Sequence, residues 1–269
     1  MGINKVQAKS ILQKTGISGF GYVINPYTGC THGCVYCYAR FMKRFTGHTE
    51  RWGEFLDAKI NAREVLKRQL ERRRGPIKGG VFLSSVTDLY QPAESIFKLT
   101  RGILEVLLEY QVPLSILTKS DLVLRDMDLL RQFEECSVGL SVMTIDEGIA
   151  RRFEPRAPSP QRRMQALREL KENNIATYAF ISPYLPHLSH IEQLMEALDG
   201  SIDEAGIEAL NTKEAYWQGV ERTLARYYPA LLIGYKQLCQ GDRYWNNLEQ
   251  RARLLASHLN ISFMGVYRH

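Results

Sequence analysis

Cys30, Cys34 and Cys37 stand in the segment Asn25-Pro-Tyr-Thr-Gly-Cys-Thr-His-Gly-Cys-Val-Tyr-Cys-Tyr-Ala-Arg40, a Cys-x3-Cys-x2-Cys spacing. Three thiolates can each hold one iron of a cubane cluster and leave the fourth iron without a protein ligand. An open coordination position suits binding and activating a substrate, by the logic that separates catalytic from closed structural zinc sites. Gly29 and Gly33 give the backbone the freedom that a cluster-wrapping loop needs, and Tyr36 and Tyr38 could shield such a cluster from water. Two plainer readings compete. A zinc knuckle completed by His32 would wedge an imidazole between two cysteine ligands, and three unrelated buried cysteines would leave the spacing without a cause.

The elements that must position these residues follow from periodicity. Short β-rich runs at 21–26, 81–86, 113–118, 137–144, 176–182 and 202–210 alternate with amphipathic helical patterns near 62–73, 96–110, 122–135, 160–173 and 191–199. Six such alternations predict a parallel sheet, either open and doubly wound or a partial barrel. Thr87-Asp88, Lys119-Ser120, Thr144, Ser182-Pro183 and Asn211 each follow a strand, on the C-terminal rim where parallel α/β folds place their chemistry. Beyond 211 the chain reads helical over 213–226 and 243–259, then closes on an apolar stretch at 261–266 that reads as a last strand. The expected organisation is a lead-in at 1–19, a core at 20–211 and a helical C-terminal extension at 212–269 packed on the core.

With 269 residues, 45% hydrophobic and 24% charged, the chain fits one domain with a large core. No apolar run approaches the roughly 20 residues that span a bilayer, and the first residues lack the apolar stretch of a secretory signal. No membrane partner is expected, and the cytoplasm is the expected compartment. Five cysteines with three in one short motif suit metal binding there better than disulfides. The balance of 35 Lys+Arg against 29 Asp+Glu, a net +6, would suit a polyanion such as nucleic acid. Much of the excess lies at 67–74, a run that reads as the solvated end of a helix, where cations complement the dipole.

The Cys-x3-Cys-x-Tyr-Cys motif after the first strand of a six-fold β/α alternation resembles the radical S-adenosylmethionine (SAM) superfamily. The longer pattern Tyr-Thr-Gly-Cys-x3-Cys-x-Tyr-Cys-Tyr is similar to the branch related to spore photoproduct lyase. The resemblance covers residues 20–211. It implies a partial (β/α)6 TIM-like barrel and one 4Fe-4S cluster on Cys30, Cys34 and Cys37, whose open iron chelates the amino and carboxylate groups of SAM. One electron from the cluster then breaks the S–C5′ bond, and the resulting radical takes hydrogen from a substrate; an electron-donor protein such as a flavodoxin or ferredoxin is the implied partner. The resemblance also implies cofactor contacts: Thr87 and Asp88 on the methionine amino group, Lys119 on the carboxylate, Ser141 on the cofactor, and Tyr36 and Ser182 near the adenine. Asn211 is a weaker candidate. Simpler roles remain open for each: a strand-end turn for Thr87 and Asp88, solvation for Lys119, a backbone bond for Ser141. Arg156, in a proline-stiffened loop, has the guanidinium fork for a carboxylate or diol, or pairs locally with Glu154.

One departure limits the resemblance. The lyase carries a hydrogen-donating cysteine three residues before the Asp of its strand-two motif, and Ser85 stands there in this chain. A serine O–H bond is much too strong to replace a thiol as hydrogen-atom donor, so the lyase reaction is not expected. Cys136 and Cys239 read as packing residues. Tyr38, Tyr90, Tyr184 and Tyr216 are candidate radical relays or ordinary packing, and His187 and His190 are acid–base groups or solvated loop residues. No residue is assigned to the substrate step. The functions in view are a radical enzyme acting on nucleic acid or another large substrate, a radical enzyme acting on a peptide or small metabolite, and a non-catalytic metal-binding nucleic-acid module.

Overall fold

The strands at the centre of the structure are apolar on both faces, the pattern of parallel strands covered by helices on one side and by a filled interior on the other. A computed structural model describes residues 2–269. Its strands are β1 (Gly2–Val6), β2 (Leu12–Lys14), β3 (Tyr22–Ile24), β4 (Tyr27–Thr28), β5 (Phe55–Lys59), β6 (Val81–Leu83), β7 (Leu114–Thr118), β8 (Cys136–Ser141), β9 (Ala176–Tyr184), β10 (Glu204–Ala209) and β11 (Ser262–Tyr267). The large sheet runs β11-β10-β9-β8-β7-β6-β3-β2. Every neighbouring pair in it is parallel except β2 with β3. The succession β3, β6, β7, β8, β9, β10 with helical crossovers is the partial TIM-like barrel expected from the sequence.

The crossover helices form where apolar residues recur at helical spacing. Ala62–Glu71 buries Ala62, Val65, Leu66 and Leu70, one stripe at i, i+3, i+4 and i+8. Pro160–Glu172 starts on Ser159, whose side chain accepts from the Arg162 N–H, with Pro160 in the first turn, where its missing N–H costs nothing. This helix buries Ala166, Leu167 and Leu170, and also Arg163, a charge that must find a partner in the core.

Two features differ from the sequence expectation. The helix expected near 122–135 is a 3-10 turn over Asp121–Asp126 followed by only Met127–Leu130, because Asp126 is drawn inward to accept from Arg101 and Arg125. The lead-in is not a simple approach: β1 pairs with β5, and β5 with β4, in a second three-stranded sheet. The stretch at 261–266 forms the expected last strand, β11, which adds to the edge of the barrel sheet beside β10.

Gly139 of β8 faces Tyr178 of β9 in register, and the Tyr178 ring lies across it. The Tyr178 hydroxyl thereby reaches past β8 to the Ile116 carbonyl at 2.7 Å and to Ser115 at 3.1 Å, both on β7. A Cβ at position 139 would sit 2.1 Å from that ring. Gly139→Ala is therefore expected to destabilise the fold by about 1–3 kcal/mol through overpacking, read as a lower urea midpoint at unchanged m-value.

Candidate active site

The cysteine loop between β4 and the 3-10 turn Tyr38–Phe45 has no regular structure, so its backbone groups need partners from elsewhere. The Gly29 carbonyl accepts from Thr87 Oγ1 at 2.5 Å, and the Thr31 N–H donates to Gln91 at 2.9 Å. The Val35 N–H donates to the Phe153 carbonyl at 2.9 Å. Arg40 curls back to donate to the carbonyls of Val35 at 2.6 Å and Cys37 at 2.9 Å, with a longer contact to Cys34 at 3.4 Å. Gly29 adopts φ +92, and a Cβ there would lie 2.6 Å from the Phe55 carbonyl, so β5 forms the floor under the first cysteine.

Cys30, Cys34 and Cys37 line one cavity of about 220 Å³ at the C-terminal ends of the parallel strands. Burial pushes the Cys34 thiol up to about 12, with Glu154 adding to it. Burial also raises Cys30 well above the usual thiol value, reinforced by Asp88 and by the other two cysteines. Cys37 is raised by burial against the opposing Ala39 N–H and Arg40. Such thiols become thiolates only when a metal supplies positive charge. Buried polar atoms without partners surround them: the Trp52 indole N–H, which bears on Cys37, and both ring nitrogens of His32. A thiolate-held cluster would give the indole an acceptor. Among the described residues no three His, Cys, Asp or Glu side chains meet closely enough to share one ion; a cubane, whose cysteines each bind a different iron, does not ask for that. A zinc knuckle does ask for it, so His32, whose Nδ1 lies 3.5 Å from Asp88, does not complete one with these cysteines. The donor set therefore fits an iron–sulfur cluster.

Six of the seven residues expected to contact a cofactor line this cavity: Tyr36, Thr87, Asp88, Lys119, Ser141 and Ser182. They are not equally free. Thr87 is bonded to Gly29, as above. Asp88 accepts from the Tyr90 and Lys119 N–H groups at 2.9 and 2.8 Å and from Thr118 Oγ1 at 2.6 Å, so it ties the ends of β6 and β7 together. Lys119 Nζ donates to Ser141 Oγ at 2.7 Å and lies 3.6 Å from Glu154 Oε1 and 5.8 Å from the centre of the Tyr36 ring. Ser141 Oγ in turn donates to the Ser182 carbonyl at 3.1 Å, and the Ser182 hydroxyl donates to Glu208.

Arg156 is placed apart from the other six. It lies outside the cavity and does not pair with Glu154; its Nε donates to the Thr31 carbonyl at 2.7 Å and its Nη2 to the Gly53 carbonyl at 2.8 Å. Gly33 and Gly53 make room for it, since a Cβ on either would lie 2.4 or 2.2 Å from Nη2. Of the candidate tyrosines, Tyr38 lines the cavity together with Ser85 and Asn211, and its hydroxyl donates to the Ser85 carbonyl. His187 and His190 are exposed and line no part of the cavity.

The residue that sequence reasoning missed is Glu154. Fully buried, it pairs with Arg163 at 2.5 Å, accepts from the Tyr36 hydroxyl and faces Lys119. Burial alone would raise its carboxyl, but the Arg163 and Lys119 charges hold it below the usual carboxylate range. Arg163 also donates to the Ser141 carbonyl at 2.8 Å. Two cations thus meet one carboxylate, and the surplus positive charge, on Lys119, faces the cavity. At the far end Glu208 sits 3.2 Å from His269; the carboxyl is held low by that imidazole and Ser182 against the opposing effect of burial.

A cysteine loop at the C-terminal rim of a partial β/α barrel defines a radical SAM enzyme, and a model of the Radical SAM superfamily matches residues 24–199; the chain belongs to that superfamily. An uncharacterized protein of Methanocaldococcus jannaschii is 44% identical over 193 residues, 72% of this chain and 71% of its own length. A Pseudomonas phage M6 protein described as a radical SAM Nα-GlyT isomerase is 27% identical over 177 residues, 64% of this chain and 36% of its own. Spore photoproduct lyase shares the fold at 16% identity, with a TM-score of 0.69 over 99% of this chain and 81% of the lyase; a form of it with bound AdoMet and dinucleoside spore photoproduct gives 0.66 over 99% and 80%. Membership implies a 4Fe-4S cluster and SAM as cofactors.

Because the Glu154 carboxyl titrates lower in the folded protein than its ordinary value of about 4.3, its contribution to stability is complete above that value. That contribution is lost as pH falls through the lower folded value. Glu154→Gln leaves Arg163 buried without its counter-ion and is expected to cost about 3–5 kcal/mol at neutral pH. Urea titrations of both proteins from pH 7 down to pH 3 should show the gap narrowing in acid.

Proposed function

We propose that Cys30, Cys34 and Cys37 hold the 4Fe-4S cluster, that Lys119 faces the SAM carboxylate, and that the enzyme acts on nucleic acid. The observation that carries the cofactor reading is the single cavity in which the three thiols and the free Lys119 charge meet. When bound, the cluster supplies one electron, delivered by a flavodoxin or ferredoxin, and SAM supplies the 5′-deoxyadenosyl radical that takes hydrogen from the substrate. The chain's own residues bind and orient. Glu154 and Ser141 fix the Lys119 ammonium, Tyr36 packs beside it, and the Ser182 and Glu208 end offers hydrogen-bond acceptors to ribose or substrate. Thr87 and Asp88 hold the rim together, and the cavity keeps bulk water from the reacting atoms. Ser85 cannot serve as a hydrogen-atom donor, which separates the reaction from that of the lyase.

The nucleic-acid part rests on the surface beside the cavity. Tyr38 leads from the cavity wall, exposed by 42%, into a turn that carries Phe41, Lys43, Arg44 and Phe45 without an acidic residue in its first turn. Arg222 of the helix Glu214–Tyr227 lies close enough to Arg40 for the two charges to repel. Farther along, Arg226 stacks over Tyr227 at 5.2 Å, and Arg152 over Tyr227 and Tyr228 at 5.0 and 5.2 Å. Guanidinium groups interleaved with exposed rings are what a single strand uses, phosphates on the cations and bases on the rings.

Anaerobically reconstituted protein with dithionite and SAM is expected to form 5′-deoxyadenosine, and the triple variant Cys30→Ala/Cys34→Ala/Cys37→Ala to form none. A wild type that binds no iron ends the cofactor reading. Lys119→Met should weaken SAM binding to the reconstituted protein about tenfold or more, for a charge-assisted hydrogen bond of ~1.5–3 kcal/mol, as measured by calorimetry. A labelled single-stranded oligonucleotide should bind with steep salt dependence. The double variant Arg222→Ser/Arg226→Ser should flatten the plot of log affinity against log salt by about 1.4, from roughly 0.7 per lost phosphate contact; salt-independent binding would instead favour a peptide or small metabolite.

A further inference from the structure

Arg40 stands three residues beyond the last cysteine, and its guanidinium is spent on the cysteine loop itself. Nε donates to the Cys37 carbonyl, and Nη2 reaches the carbonyls of Val35 and Cys34. All of these acceptors are neutral. Several other guanidinium groups are drawn inward by carboxylates, Arg101 and Arg125 by Asp126 and Arg163 by Glu154, whereas Arg40, like Arg156 on the Thr31 and Gly53 carbonyls, is held by neutral groups. Arg40 is half-buried, forms no ion pair among the described residues, and has the Arg222 cation as its charged neighbour. Its charge is offset by no carboxylate among the described residues, and two of its three acceptors are the carbonyls of thiol-bearing residues, so it is placed to meet negative charge that develops on the loop.

We propose that Arg40 is a positioning residue whose charge sets the reduction potential of the cluster; this rests on the assignment of the cluster to Cys30, Cys34 and Cys37. A cluster ligated by three thiolates is anionic, and accepting an electron makes it more so. A guanidinium fixed against the ligand backbone favours the reduced form more than the oxidised form and raises the potential, so that a cellular donor can reduce it. Its fork also sets the path of the chain from Cys34 to Cys37, which a lysine, a point charge without a fork, cannot reproduce. Charge and geometry can therefore be separated by substitution.

The test uses the full chain, reconstituted anaerobically, with iron and sulfide counted first. The midpoint potential is then read from the paramagnetic resonance signal of the reduced cluster during a mediated redox titration. Arg40→Gln is expected to make the cluster harder to reduce, with the ratio of reduced to oxidised cluster at the wild-type midpoint falling about tenfold, or about 59 mV for one electron. Arg40→Lys should stay near the wild-type potential. A fully loaded Arg40→Gln protein with the wild-type potential overturns the proposal, as does an Arg40→Lys protein shifted as far as Arg40→Gln. If Arg40→Gln takes up no cluster, Arg40→Lys decides: full loading at the wild-type potential supports the charge role, and failure to load reduces Arg40 to a folding residue. A wild type without iron would instead overturn the cluster assignment beneath it.

Discussion

The rest of the site depends on one constraint: the loop that carries the three cysteines closes only two long backbone hydrogen bonds of its own, Gly33 to Cys30 and Cys37 to Cys34. A helix or strand satisfies its backbone internally, whereas this loop must borrow donors and acceptors from whatever packs around it. Thr87 and Gln91 serve its first half, Phe153 and Arg156 its middle, and Arg40 its end. Each of these is a rim residue of the barrel or a neighbour of one. The sheet is thus less a container for the site than the jig that sets the positions of the loop's supports.

Charge is arranged with similar restraint. Glu154 takes up Arg163 fully and Lys119 in part, so the cavity presents one cation where an anionic group of a ligand can meet it. Behind the loop, Arg40 and Arg156 donate to carbonyls and keep their charge. A buried ion pair adds little net stability by itself; its value here is that it determines which ammonium is left free and where that ammonium points.

The cysteine motif could be read from the sequence because it is local: its three thiols lie within eight residues, and the structure brings them to one cavity. The strands bearing Asp88, Lys119, Ser141 and Ser182 could be read because apolar runs ending in polar residues mark a parallel sheet and its rim. β5 was not legible, since Phe-Leu-Asp-Ala-Lys lacks alternation and becomes a strand by pairing with β1 and β4. Glu154 and Arg163 were hidden for a different reason. Their meaning lies in meeting each other and Tyr36 across 118 residues of chain, and nothing local distinguishes them from surface charges. Arg156 looked like a ligand-binding fork; the signal that it faces backbone instead was the pair Gly33 and Gly53, whose missing side chains only make sense once the guanidinium is between them.

The separations in those supporting contacts also bear on the order in which the molecule is made. Thr31 meets Gln91 across 60 residues and Arg156 across 125, and contacts so far apart in sequence close only after the intervening chain has collapsed. While the protein is being synthesised, the cysteines emerge early and stay as exposed, oxidisable thiols on an unformed loop until residues past 156 have folded against them. The cysteine loop is therefore a late product of folding, and its completion is a report that more than half of the barrel is already in place.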